Sequence, residues 1–186
     1  MIEAKAGDVI LFEKLPGFNV LDFFPFVIRL ICGNKVVHCG IVQGTTPDSI
    51  FYWDSNPGGV KLRELTRNNV SSNGLLGTHI SSPNFVTTTS EKVANWGSVW
   101  NHSPYGYRRI LDIAIYHGIK VFNREYAPVN PPMGLGDLDS SICSDFVARW
   151  LINANQGPWT DEPEWLIQPD HYLDPKYFTV RPLIWE

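Results

Sequence analysis

Three residues of this chain have the types and the setting for nucleophilic catalysis: Cys143, His38 and Asp54. Cys143 stands in Ser140-Ser141-Ile142-Cys143-Ser144-Asp145-Phe146-Val147, where a polar cluster opens a helical pattern. A thiol in the first turn of a helix meets unpaired backbone N–H groups and the positive end of the macrodipole. Both favour the thiolate, which is the nucleophile. An inert buried thiol is the competing reading, and a partner base decides between the two. His38 is the candidate base, in the β-branched run Lys35-Val36-Val37-His38-Cys39-Gly40-Ile41-Val42, which reads as a strand. Gly40, on the face of His38, leaves room for another segment to come close to the imidazole. Asp54 ends the next strand-like run, Ser49 to Asp54, joined to the first by the turn-rich Gly44-Thr45-Thr46-Pro47-Asp48. Adjacent antiparallel strands bring such a carboxylate beside the imidazole, where it fixes the tautomer and stabilises the imidazolium. Asp54 equally suits the Asx position that opens the turn Asp54-Ser55-Asn56-Pro57-Gly58-Gly59.

The elements that must carry these groups are legible in outline. A strand is expected at Asp8 to Phe12, then an apolar helix from about Asp22, then the strand pair and a third strand at Val60 to Leu65. Turn residues fill Thr66 to Thr89, including Ser81-Ser82-Pro83-Asn84, with a further strand possible at Gly74 to Ile80. Helices follow at Glu91 to Trp100 and at Arg108 to Phe122, the second with Ile110, Leu111, Ala114, Ile115 and Ile119 as its apolar residues. A Pro- and Gly-rich loop, Ala127 to Gly136, leads to the Cys143 helix. Phe146, Val147, Trp150, Leu151 and Ala154 give that helix one buried stripe. Beyond a turn-rich Gly157 to Pro163, a short helix is expected at Pro169 to Leu173 and a last strand at Phe178 to Ile184. Phe18, Phe23, Phe24 and Phe26 fit core packing, or contact with lipid or an acyl chain. His171 ranks behind His38 as a base.

A length of 186 residues suits one domain with a sizeable core, and 44% hydrophobic residues exclude a disordered chain. A net charge of -4 without a basic run argues against nucleic acid. Three cysteines without framework spacing point to a reducing compartment and a free Cys143. Cys32, His38 and Cys39 make no zinc set, since consecutive strand residues face opposite sides and a fourth ligand is not evident. The first residues lack the basic and apolar regions of a signal peptide, and Val20 to Cys32 is too short to span a bilayer, so a cytoplasmic location is expected.

Four segments taken in order carry a resemblance: Ala6-Gly7-Asp8-Val9-Ile10-Leu11-Phe12, Val37 to Val42, Trp53-Asp54 with Gly59 to Leu65, and Ile142 to Val147. Together they resemble the circularly permuted branch of the NlpC-like papain-fold superfamily, most closely its YaeF/YiiX-like amidase and peptidase group. Classical papain-like enzymes place the cysteine before the histidine, whereas the permuted branch places the histidine strand first, as here. The resemblance implies an α+β fold over residues 1–186, an antiparallel sheet or partly open barrel packed against helices that include the nucleophile helix. It implies Cys143 as nucleophile, His38 as base and Asp54 as orienter, where the related group has a glutamate. Tyr105 and Tyr107 resemble the tyrosine segment that lines the family's pocket; with Ser144 they become substrate-binding or oxyanion candidates.

The implied activity is a cysteine hydrolase that opens a small-molecule, peptide or lipid-like amide or ester through a Cys143 thioacyl intermediate, with no metal or organic cofactor. Two alternatives stay open. One is a lipid acyltransferase or phospholipase-like permuted relative. The other is a catalytically inactive module that binds a small molecule or peptide.

Overall fold

The computed structural model describes residues 3–13, 35–68, 77–84, 87–126, 130–132, 140–153 and 166–184. The expected helix after Asp22 with its phenylalanines, Cys32, the turn-rich stretch 157–163 and most of the loop 127–136 lie outside the described residues. What is described is α+β: a six-stranded antiparallel sheet and three α-helices.

The strands are β1 (Val9–Phe12), β2 (His38–Thr45), β3 (Ser49–Asn56), β4 (Gly59–Thr66), β5 (Thr78–Pro83) and β6 (Phe178–Pro182), in the sheet order β4-β3-β2-β1-β5-β6. The helices are α1 (Ser90–Trp100), α2 (Tyr107–Phe122) and α3 (Cys143–Asn153), and a short 3₁₀ helix spans Pro169–Leu173. β1 lies between β2 and β5 and buries all four of its residues, which is why Val-Ile-Leu-Phe shows no polar alternation. Alternate residues then feed two cores. Val9, Leu11, Cys39, Ile41, Trp53 and Val60 join α1 and α3 on one side, while Ile10, Phe12, Val42, Ile50, Tyr52, Leu65 and Ile80 form a second cluster.

The β3–β4 hairpin sets the register that matters for the site. Asn56 Oδ1 accepts the Gly58 N–H at 2.9 Å, and Gly59 takes the turn's left-handed conformation at φ 84°. The Asx residue of this turn is therefore Asn56, and Asp54 stays within β3, paired with Gly40 on one side and Lys61 on the other. A side chain at Gly40 would start 2.7 Å from both the Trp53 carbonyl oxygen and Tyr52 Cδ2. Glycine there lets β3 close onto β2 two residues from the imidazole.

Three expectations need correction. Ser81 to Pro83 belong to β5 and not to a loop: Ser81 pairs with Val9 and Val180, and its Oγ donates to the Tyr172 carbonyl at 2.5 Å. Long-range pairing overrides the local turn propensity of serine and proline. In α2 the buried set is Arg109, Ile110, Asp112, Ile113 and Tyr116, with Leu111 half-exposed, because the face turns toward α3 to pair Arg109 with Asp145. And α3 buries more than one apolar stripe. Every residue from Cys143 to Leu151 is buried, Ser144, Asp145 and Arg149 included. Buried charge survives there because Arg109 Nη1 lies 2.7 Å from Asp145 Oδ2, Arg149 Nη2 approaches the same oxygen at 3.6 Å, and the Arg149 guanidinium stacks over Trp100 at 4.9 Å.

Candidate active site

The approach to Cys143 is clamped from two sides. The Ser141 carbonyl accepts both the Ser55 hydroxyl at 2.7 Å, from β3, and the Gly106 N–H at 2.9 Å, while the Ser141 N–H donates to the Pro104 carbonyl at 3.2 Å. Ile142 is the residue at which the helix begins, since its carbonyl takes the first helical bond, from the Phe146 N–H at 3.0 Å. Asp145 reaches back to accept the Ile142 N–H at 3.0 Å, which is half of a capping box. Cys143 is thereby the first full residue of α3, in the first turn as its sequence setting predicts. On the far side the Tyr172 hydroxyl donates to the Ser144 carbonyl at 2.6 Å and ties the turn to the Pro169–Leu173 helix.

β2 and β3 bring the other two residues together. His38 Nε2 donates to Asp54 Oδ2 at 2.7 Å, with both side chains buried. Asp54 Oδ1 accepts from Arg63 Nε at 2.5 Å, so both carboxylate oxygens are engaged. The ring of Phe12 lies 5.7 Å from the imidazole and 5.6 Å from the Tyr52 ring, which walls this face with apolar surface. Since Nε2 is committed to Asp54, Nδ1 is the nitrogen left for the thiol.

The electrostatics follow from this packing. Hydrogen bonding from Cys39 is the largest influence on Cys143 and lowers its pKa; burial opposes it, and the His38 charge and hydrogen bond add to it, leaving the thiol well below its ordinary range. For His38, burial alone would lower the pKa, but the Cys143 charge and the hydrogen bonds the imidazolium donates to Asp54 and Cys143 outweigh it and raise the value from 6.5 to about 10. Each charge favours the other, so the two groups are coupled toward the thiolate and imidazolium forms.

Of the remaining candidates, Tyr105 bridges to Ser141 and sits within electrostatic reach of Cys143. Burial first, then the Cys143 charge, raises its pKa well above the phenol range, so it carries a proton to donate. Tyr107 meets Tyr105 edge-on at 4.9 Å and is 39% exposed, on the outer side of the pair. Ser144 is buried within α3, its carbonyl taken by Tyr172. His171 is occupied by its own turn, where Nδ1 accepts the Gln168 N–H at 2.9 Å, and His117 Nε2 accepts from Gln168 Nε2 at 2.7 Å.

Sequence reasoning missed Arg63 and Cys39. The Arg63 signal was available: pairing Asp54 with Lys61 across the hairpin puts Arg63 two residues along on the same face, diagonal to the carboxylate. Cys39 was set aside because neighbouring strand residues project to opposite faces, yet it shares one core with Cys143 where α3 packs on β2, and its influence on the Cys143 thiol exceeds that of His38. Among the described residues no cluster of three or more His, Cys, Asp or Glu side chains could hold a metal ion, and no helix is long and apolar enough to cross a membrane. Compared with known proteins, the chain matches no protein-family model, and no curated protein matches it.

Proposed function

We propose that this protein is a cysteine hydrolase, an amidase or peptidase with a permuted papain-like arrangement in which the histidine strand precedes the nucleophile helix. One observation carries the reading. Cys143 opens α3, which packs on β2, and the buried His38 at the start of β2 is held by the buried Asp54 at 2.7 Å. The Cys143 Sγ attacks the carbonyl carbon of an amide or ester. The resulting oxyanion is received by the Cys143 backbone N–H, one of the helix's unpaired donors, and by the Tyr105 hydroxyl. His38 Nδ1–H protonates the leaving group as the C–N or C–O bond breaks, and a thioester remains on Cys143. Neutral His38 then takes a proton from water, which attacks the thioester and releases the acid. The buried, apolar-walled imidazole favours an uncharged acyl group, and an amide suits the imidazolium's ability to protonate an amine leaving group. The engagement of both Asp54 oxygens favours this reading over an inactive binding module, whose imidazole needs no orienter.

The test is a screen of fluorogenic acyl amides, dipeptides and esters with mass spectrometry of the quenched protein. Turnover with an acyl adduct confined to Cys143, both lost in Cys143→Ser and His38→Ala, is the expected result. A protein that shows neither turnover nor adduct across the three classes returns the binding module to first place.

A further inference from the structure

The apolar stripe of α2 faces away from the protein. The inward side of this helix is Arg109, Ile110, Asp112, Ile113 and Tyr116, with Arg109 on Asp145. On the opposite side, at helical spacing, stand Tyr107, Leu111, Ala114, Ile115, Gly118 and Phe122. Leu111 is 51% exposed, Phe122 93% and the adjoining Val121 74%. Gly118 is exposed as well, and Ala114 and Ile115 are half-buried. A surface helix ordinarily turns its charges to water, so an outward face that lacks them marks a contact. The charges of α2 are drawn inward or aside: Arg109 and Asp112 are buried, and Lys120 donates to the Tyr116 hydroxyl at 2.8 Å with its ammonium over that ring. Of the charged residues of α2, Arg108 alone borders the stripe.

We propose that the protein forms a symmetric dimer in which the outer face of α2 packs antiparallel on the same face of a second copy. Shape is the first reason. A side chain begun at Gly118 would meet nothing within 4 Å, so Gly118 is an open notch on a face that also carries bulky Leu111 and Phe122. A two-fold axis through the middle of the stripe sets Leu111 of each copy over Gly118 of the other, Tyr107 against Phe122, and Ala114 against Ile115. Such a contact needs a face that complements itself, and this one pairs its bulge with its own notch. Charge is the second reason. The first turn of α2 holds no acidic residue, which leaves the exposed Arg108 beside the positive end of its own helix. The antiparallel arrangement brings the negative C-terminal end of the second α2 to Arg108. Arg124 and Glu125, both exposed just beyond that end, offset one another, so the helix ends themselves carry the complementarity. A lipid surface is the rival cover and fits less well, because helices that lie on membranes are rimmed by several cations, whereas this stripe has Arg108 and the chain a net charge of -4.

The proposal rests on the outer face of α2 and does not require the hydrolytic reading. One helix pair is a small interface, so the dimer should dissociate on dilution. The experiment is sedimentation velocity of the full chain over a dilution series, for wild type, Leu111→Glu and Gly118→Leu, with flotation on phosphatidylglycerol–phosphatidylcholine vesicles alongside. The wild type should pass from dimer to monomer as it is diluted. Leu111→Glu takes a buried leucine from both sides of the contact and should raise the dissociation constant by about 100-fold or more. Gly118→Leu fills the notch and should leave a monomer. Both positions face outward, so both variants should keep the native circular dichroism and melting temperature. A wild type that stays monomeric up to its solubility limit, or a dimer that survives in both folded variants, overturns the proposal. A monomer that floats with the vesicles and loses that ability in Leu111→Glu also overturns it and gives the face to lipid.

Discussion

Replacing Asp54 by asparagine keeps the shape of the side chain and removes its charge, which isolates what the carboxylate does for the imidazole. The rise of the His38 pKa from 6.5 to about 10 corresponds to roughly 5 kcal/mol in favour of the imidazolium, at about 1.4 kcal/mol per pKa unit. That rise is what remains of the Cys143 and Asp54 contributions after burial has opposed them. A hydrogen bond to a buried charged partner contributes about 2 kcal/mol, so Asp54→Asn should lower the His38 pKa by about 1.5 units. The carboxamide NH₂ also turns toward Nε2 and forces it to accept, which moves the ring proton to Nδ1 and leaves no lone pair there for the thiol. The counter-ion of the Cys143 thiolate is weakened accordingly. The assay is the rate of iodoacetamide alkylation at Cys143 against pH, with the labelled peptide identified by mass. The midpoint should rise by about 1.5 pH units in Asp54→Asn, and by no further amount when Asp54→Asn is added to His38→Ala. An unchanged midpoint, or an equal rise in both backgrounds, refutes the claim that Asp54 acts through His38.

Stability should track the same pair. His38, raised in the folded state, stabilises fully below its unfolded pKa of about 6.5 and loses that contribution as pH rises toward about 10. Cys143, lowered in the folded state, stabilises above its unfolded pKa of about 8.5 and loses that contribution as pH falls. Between roughly pH 6.5 and 8.5 the proton gained by one cancels the proton lost by the other. The Tm difference between wild type and Cys143→Ser should therefore plateau across that window and fall on both sides; a difference flat from pH 5 to 10 would contradict the ion pair. Asp145→Ala leaves Arg109 buried without its carboxylate at 2.7 Å, and urea titration should show a loss of about 3–5 kcal/mol. Gly40→Ala places a methyl 2.7 Å from the Trp53 carbonyl and should cost about 1–3 kcal/mol while raising the alkylation midpoint; wild-type stability in this variant would show that β2 and β3 have slack.

The sequence by itself determined the local pieces. Polar residues before a helical run put Cys143 in a helix's first turn, a β-branched run put His38 on a strand, and a turn-rich link made Asp54 its neighbour across an antiparallel pair. These are matters of periodicity and turn chemistry, which act over a few residues. The choice between Asp54 as orienter and Asp54 as Asx residue was open, because both follow from the same short segment; pairing across β3 and β4 gave the turn to Asn56 and kept Asp54 in the strand. What only the tertiary structure decided depends on residues far apart in the chain. Ser81 is a strand residue because β1 and β6 flank it and Tyr172 accepts its hydroxyl. Asp145 and Arg149 are buried because Arg109 comes from another helix to share their charge. Cys39 and Cys143 share one core because α3 packs on β2, an association that strand alternation alone does not encode. Local pattern chooses the element and its face, and long-range packing chooses what that face meets.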